Sequence, residues 1–246
     1  MTAIGIGISP VLGSKAAAGA AIHARWLGSS VVYWTLDEAS GNRAALVGGL
    51  TLTDNNTVGS AAGIISNAAS FVAANSEYLS VADNALLNIG GGDFTVRAWI
   101  RFTTGMEDYA ALLGKWTAAA REWLFQIDSG NRVFFGVWDS GNSLVGGATS
   151  AGGTIEVDTT YHIVASRIGA DLKVYINGAE AATGTIAGTP RTSSAAAFAI
   201  GTTADVAAST RFNGWIDEVA IVKGLGWDAT QVTYDYNAGT GLRYPD

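Results

Sequence analysis

Hydrophobic and polar residues alternate along much of this chain. In FTVRAWIRF (94–102), Phe94, Val96, Ala98, Ile100 and Phe102 fall on one face, and Thr95, Arg97, Trp99 and Arg101 on the other. A period of two marks a β-strand with one buried face. Similar short runs recur from Val31 onward: VVYWTL (31–36), LTL (50–52), WLFQI (123–127), RVFFGVW (132–138), YHIVASRI (161–168), LKVYI (172–176) and AFAIG (197–201). A last run, FNGWIDEVAI (212–221), holds two acids. Strict alternation puts Trp215, Asp217, Val219 and Ile221 on one face, and Gly214, Ile216, Glu218 and Ala220 on the other. Asp217 is thus expected among apolar neighbours, where a carboxylate needs partners to offset its lost hydration.

Turn signals separate these runs. The tetrapeptide DSGN occurs at 128–131 and again at 139–142, bracketing one strand and predicting consecutive hairpins. Asn177-Gly178 suits a tight turn because both residues tolerate positive φ. Short strands at this spacing predict an all-β sandwich or barrel. One helix is predicted near the C-terminus, with Asp228 as its cap, Gln231 as the reciprocal partner, and Gly239 beyond its end. Residues 1–29 show no periodic element. They read as an N-terminal arm, either a flexible tail or a segment ordered on a neighbouring subunit. Residues 30–246 read as a single domain.

Composition narrows the function classes. The chain's 246 residues can bury a large core without covalent staples, and the absence of cysteine excludes disulfides and thiolate chemistry. A net charge of −7 with no basic run argues against nucleic-acid binding. No apolar run approaches the roughly 20 residues of a membrane span. No Lys or Arg precedes Lys15, so the opening does not read as a secretory leader. Only 14% of residues are charged, against about 25% in an ordinary soluble domain. Such an exterior either faces other protein in an assembly or is the Ala/Gly/Ser/Thr-rich surface of a monomer.

Several segments, in order, resemble the laminin G-like branch of the concanavalin A-like jelly rolls. YWTLDEASGNR (33–43) is similar to that branch's opening aromatic strand and acidic turn. GIISNAASF (63–71) resembles its G-x-x-G/S-N-A-x-x-F segment, and EYLSV (77–81) and DFTVRAWI (93–100) follow. YHIVAS (161–166), LKVYING (172–178) and FNGWIDEVAI (212–221) resemble the later strands. The resemblance implies a two-sheet antiparallel sandwich whose first and last strands lie side by side. It also implies a structural Ca²⁺ where the opening turn meets the closing strand, with Asp37, Glu38 and Asp217 as ligands. The alternative is that Asp217 accepts hydrogen bonds from backbone amides or from Arg43.

Glycosidases of that superfamily carry a carboxylate pair on one strand, written E-x-D-x-x-E, and this chain has no such sequence. Glu107-Asp108 falls in a loop. Glu122 and Asp128 share a face but lie roughly 20 Å apart along a strand. No nucleophile elbow, zinc-protease helix or phosphate loop is present. The two histidines, His23 and His162, cannot make a three-histidine metal site, and His162 is expected to be a packed structural imidazole. The expectation is therefore no enzyme activity. Glycan binding is open to Trp116, Lys115, Arg121 and Trp138; Trp116 falls in the predicted loop GKWTAAAREW. Trp34 and Trp99 are expected in the core. Two functions compete. One is a virion protein of the capsid-decoration, tail or fibre kind, docking on neighbouring subunits through residues 1–29 and contacting host glycans. The other is a stand-alone extracellular lectin-like module.

Overall fold

The computed structural model describes residues 26, 30–105 and 107–244. Two eight-stranded antiparallel sheets pack face to face. The first runs β14 (Ala179–Thr185), β13 (Asp171–Ile176), β12 (Thr160–Ile168), β7 (Phe94–Phe102), β16 (Gly214–Lys223), β5 (Asn67–Phe71) and β4 (Gly59–Ala62), with β1 (Ser30–Trp34) also paired to β16. The second runs β11 (Leu144–Thr149), β10 (Val133–Trp138), β9 (Ala120–Asp128), β8 (Tyr109–Thr117), β15 (Phe198–Ile200), β6 (Tyr78–Val81), β3 (Thr51–Asn55) and β2 (Arg43–Ala44). First and last strands do lie side by side, with Tyr33 opposite Ala220 and Trp34 opposite Val219.

The alternation of β7 is realised as read. Phe94, Val96, Ala98, Ile100 and Phe102 enter the core between the sheets, with Trp34, Phe71, Trp123, Phe125, Phe135 and Phe198. Burial of this apolar surface drives the two sheets together. Trp34 is in that core. Trp99 is buried too, but on the outer face of the first sheet, stacked on Tyr236 at 5.7 Å.

Both DSGN turns adopt one geometry. The Asp128 and Asp139 carboxylates accept from the amides of Gly130 and Gly141, and Asn131 and Asn142 take positive φ of 52° and 66°. Asparagine tolerates that conformation, which is why the motif turns the chain twice. Asn177 (φ 51°) and Gly178 (φ 80°) make the β13–β14 turn. The helix α1 (Ala229–Tyr236) starts with the expected capping box between Asp228 and Gln231. It stops at Asn237, already left-handed at φ 47°, two residues before Gly239.

Helix α1, the segment after it and Trp26 roof the outer face of the first sheet. The Trp26 ring lies 4.8 Å from Trp227, 5.4 Å from Tyr244 and 6.4 Å from Tyr33. The domain boundary expected at residue 30 therefore separates Trp26 from the sandwich it packs on. The remainder of the expected arm, His23 included, lies outside the described residues.

Candidate functional site

The acids of the closing strand come first. Strict alternation fails in β16. Asp217 pairs with Trp99 and Ala220 with Arg97, so two residues, Glu218 and Val219, face Ala98 alone. This is a β-bulge, with Glu218 at φ 52°. The extra residue resets the faces: Ile216, Val219 and Ile221 enter the core, whereas Trp215, Ala220 and Val222 pack outside it. The expectation that Asp217 and Glu218 point to opposite faces is thus corrected. Both lie on the outer face, where Asp217 shares its register with Trp99, and both are fully buried.

Each acid there has its own partner. Asp217 Oδ2 accepts from the amides of Ile64 (2.8 Å) and Ile65 (3.4 Å). A Cβ at Gly63 would collide with that oxygen, which explains the glycine opening GIISN. Asp37 accepts from the Asn67 amide (3.2 Å) and pairs with Arg243 (2.8 Å), which also pairs with Glu218 (3.0 Å). Glu38 turns to the Ala44 amide (2.8 Å). Arg43 is committed to carbonyls of Gly41, Val58 and Gly59. The amide alternative thus describes Asp217, and Arg43 takes no part. These residues do not fit Ca²⁺: the cation between Asp37 and Glu218 is the Arg243 guanidinium, Glu38 is directed elsewhere, and among the described residues no three metal-ligating side chains converge.

The network continues inward. Arg97 meets Asp235 of α1 at 3.2 Å and stacks against Trp26 and Tyr33, and Asp235 also meets His162 Nε2 at 2.9 Å. His162 packs on Trp99, and burial lowers its pKa against the pull of Asp235. It is the packed imidazole that was expected. Burial pushes Asp217 up to about 7, against the amides of Ile64, Ile65 and Glu218, and pushes Glu218 up to about 7, against Arg243. The region is a closed seam that locks α1 and the C-terminal segment to the first sheet.

The outer face of the second sheet is built differently. Trp116, Arg121 and Trp138 do come together there. The Arg121 guanidinium lies over the Trp116 ring at 5.1 Å, and Trp138 stands edge-on to Trp116 at 6.4 Å. Trp116 lies near the end of β8, opposite Arg121 of β9, so it belongs to a hairpin and not to the expected loop. Sequence reading missed Phe134, edge-on to Trp138 at 6.3 Å and partly exposed. Its ring lies over the cross-strand pair Gly136–Gly147: a Cβ on Gly136 would meet its ring edge at 2.5 Å, and one on Gly147 at 3.1 Å. Two glycines leave the room on the sheet that the aromatic ring occupies. The alternation Phe134-x-Gly136-x-Trp138 was the available signal.

Lys115 is corrected. A bulge separates it from Trp116 in the pairing with β9, and it points the opposite way. It is fully buried, held by Asp83 (2.5 Å), Glu122 (3.2 Å), Asn88 and the Ser194 carbonyl. The same bulge carries Glu122 off the face it was expected to share with Asp128. Asp128 is tied to Arg132 at 2.7 Å. Both carboxylates are thus spent on separate ion pairs.

Beside the aromatic patch lies a cleft of ≈ 470 Å³, between the Asp139–Asn142 turn and the segment 188–193. That segment carries the chain from β14 of the first sheet to β15 of the second, and its Arg191 amide bonds the Trp138 carbonyl at 2.8 Å. Arg191 also donates to the carbonyls of Arg121 (2.9 Å) and Ser140 (2.8 Å) and to Asn142 Oδ1 (2.9 Å). Asn142 in turn bonds the Arg121 amide and the Ala119 carbonyl. Three loops are thereby locked into one rim. Sequence carried no signal for Arg191, since its role depends on partners 49 to 70 residues away.

Residues 73–225 match the family model of the concanavalin A-like lectin/glucanases superfamily. No curated protein matches this sequence. Among solved structures, the binding domain of Paraclostridial Mosquitocidal Protein 1 superposes on 89% of the chain with a TM-score of 0.70 and 14% identity; the chain covers 53% of that one. Domain 4 of AbnA, a GH43 extracellular arabinanase from Geobacillus stearothermophilus, solved with arabinotriose, covers 82% of the chain at a TM-score of 0.59 and 23% identity, with 96% of that domain matched. The binding domain of botulinum neurotoxin DC, solved with SialylT, covers 88% at a TM-score of 0.63 and 12% identity, with 52% of its own chain matched. The chain thus spans about half the length of these two toxin domains. At these identities the likeness is one of fold.

Proposed function

The chain belongs to the concanavalin A-like lectin/glucanases superfamily, and from that premise we propose that it is a non-enzymatic, lectin-like module that binds saccharide on the outer face of its second sheet. One observation carries the reading: the partly exposed Phe134 ring laid on the Gly136–Gly147 pair, with the buried Trp138 and the Arg121-covered Trp116 beside it. The electron-rich face of an aromatic ring attracts the polarised C–H groups of a sugar ring and loses little entropy on binding, because it is already held. The adjoining cleft supplies polar groups of the kind that fix orientation in such sites. The names of the similar structures, an arabinanase domain solved with arabinotriose and toxin binding domains, support a binding role over a catalytic one. The pairing of Glu122 with Lys115 and of Asp128 with Arg132 supports it as well.

Phe134→Ala is the test. Its affinity for whichever oligosaccharide a glycan array identifies for the wild type should fall at least tenfold, with the melting temperature lowered only modestly. Retained affinity would remove the patch from the site. The virion setting rests on the low charge and the apolar opening MTAIGIGISPVLG, which resembles those of phage structural proteins. Electron microscopy of native particles is its test.

A further inference from the structure

Resting on the saccharide reading above, we infer that the cleft beside Trp138 is a second subsite, which takes the adjacent-hydroxyl edge of an uncharged sugar residue between Arg191 and Asp139. Both groups line the cleft. Arg191 is held by three acceptors through Nε and Nη2, and among the described residues its Nη1 makes no hydrogen bond. Asp139 is held through Oδ1 by the amides of Gly141 and Ser143, both at 2.8 Å, and among the described residues its Oδ2 accepts none. No ion pair joins the two side chains, although they face one cleft. A fixed donor and a fixed acceptor are therefore both unspent.

A hydroxyl group is donor and acceptor at once. Two adjacent hydroxyls can accept from Arg191 Nη1 and donate to Asp139 Oδ2, each group meeting its complement. One acid and one base leave the cleft without net charge, so it favours a neutral sugar over a uronic or sialic acid, which Asp139 would repel. The overall charge of −7 acts in the same direction. Hydroxyls of Ser140, Thr189 and Thr192 also line the wall, and Val145 and Pro190 offer an apolar surface for ring carbons. The cleft adjoins the patch, because Arg191 bonds the main chain of both Trp138 and Arg121. Its volume of ≈ 470 Å³ lies within the usual range of small-ligand sites. One linear oligosaccharide can stack on Phe134, over the buried Trp138, and place its next residue in the cleft.

Calorimetric titration tests this with linear hexaoses of glucose (α- and β-linked), xylose, mannose and arabinose, and with hexagalacturonate as the acidic counterpart. Asp139→Asn keeps an Oδ1 acceptor for the two turn amides but replaces the unspent acceptor with a donor. Arg191→Lys keeps the charge and loses the fork. Thr189→Val removes one exposed hydroxyl that makes no bond among the described residues. The first two should each weaken the best neutral hexaose about tenfold, and Thr189→Val by less, with the melting temperature unchanged in Asp139→Asn and Thr189→Val and lowered in Arg191→Lys, which also gives up rim bonds. If all three bind as the wild type does while Phe134→Ala does not, the subsite is overturned and the lectin reading stands. Tighter binding of hexagalacturonate than of any neutral hexaose overturns the ligand class. Binding of no hexaose by the wild type overturns both the subsite and the reading beneath it.

Discussion

Asp217 and Glu218 give the closing seam its pH dependence. Both carboxyls are raised to about 7, chiefly by burial. The folded protein therefore keeps protons that the unfolded chain has already released between its ordinary carboxylate range and pH 7. The stability these groups contribute is full below that range and is lost as pH rises to about 7. His162, with its pKa lowered by burial, acts in the opposite sense and costs stability as pH falls through its unfolded value. The raw melting curve mixes the two, so the difference between wild type and Asp217→Asn is the useful readout. Asparagine mimics the protonated acid and still accepts from Ile64. The variant should gain on the wild type at pH 8, by no more than about 4 kcal/mol, and the gain should shrink steadily on acidification and vanish only below the ordinary carboxylate range. A difference in unfolding free energy that does not change with pH would show that Asp217 titrates normally. The choice of partner, and not the burial of Asp217 or its need for partners, was beyond the sequence here: one bulged residue chose amides for it and Arg243 for its neighbour.

At the level of elements, local signals and long-range ones fared differently. The DSGN turns, the Asn177-Gly178 turn and the capping box each depend on contacts within a few residues, and all three form as read. Helix α1 then acts well beyond its length, because Asp235 and Tyr236 cover Arg97, His162 and Trp99. Asp228→Ala should therefore lower stability by about 1 kcal/mol, measured by denaturant unfolding, with an unchanged m-value. A fall in the m-value would instead mean that the helix detaches before the sandwich unfolds. The bulges at Glu218 and Glu122 escaped the pattern, because a single inserted residue exchanges the faces of everything beyond it. Lys115 and Trp116, adjacent on one strand, take opposite faces by ordinary alternation, so three of the four residues assigned to glycan contact from sequence share the patch and the fourth is buried in an ion cluster.

For the whole molecule, the two outer faces have different uses. The first sheet is roofed by α1, the C-terminal segment and Trp26, and the second presents aromatic rings and a polar cleft. Trp26 and Tyr244 meet on the roofed side, which leaves the candidate saccharide face clear of both. Trp26 is 4% exposed, so Trp26→Ala should cost about 3 kcal/mol, and a chain starting at residue 30 should melt at a similarly lowered temperature. A truncated chain as stable as the full one would show that this packing contributes nothing. The architecture as a whole was readable, since period-two alternation, turn chemistry and strand spacing are properties of short segments that limit it to an all-β sandwich or barrel, and the family resemblance chose the two-sheet sandwich between them. Tertiary structure alone decided which face each acid took, that Arg243 stands between Asp37 and Glu218, and that Arg191 ties three loops into a rim. Those outcomes depend on residues far apart in the chain meeting at bulges and loop crossings, and no local pattern records such meetings.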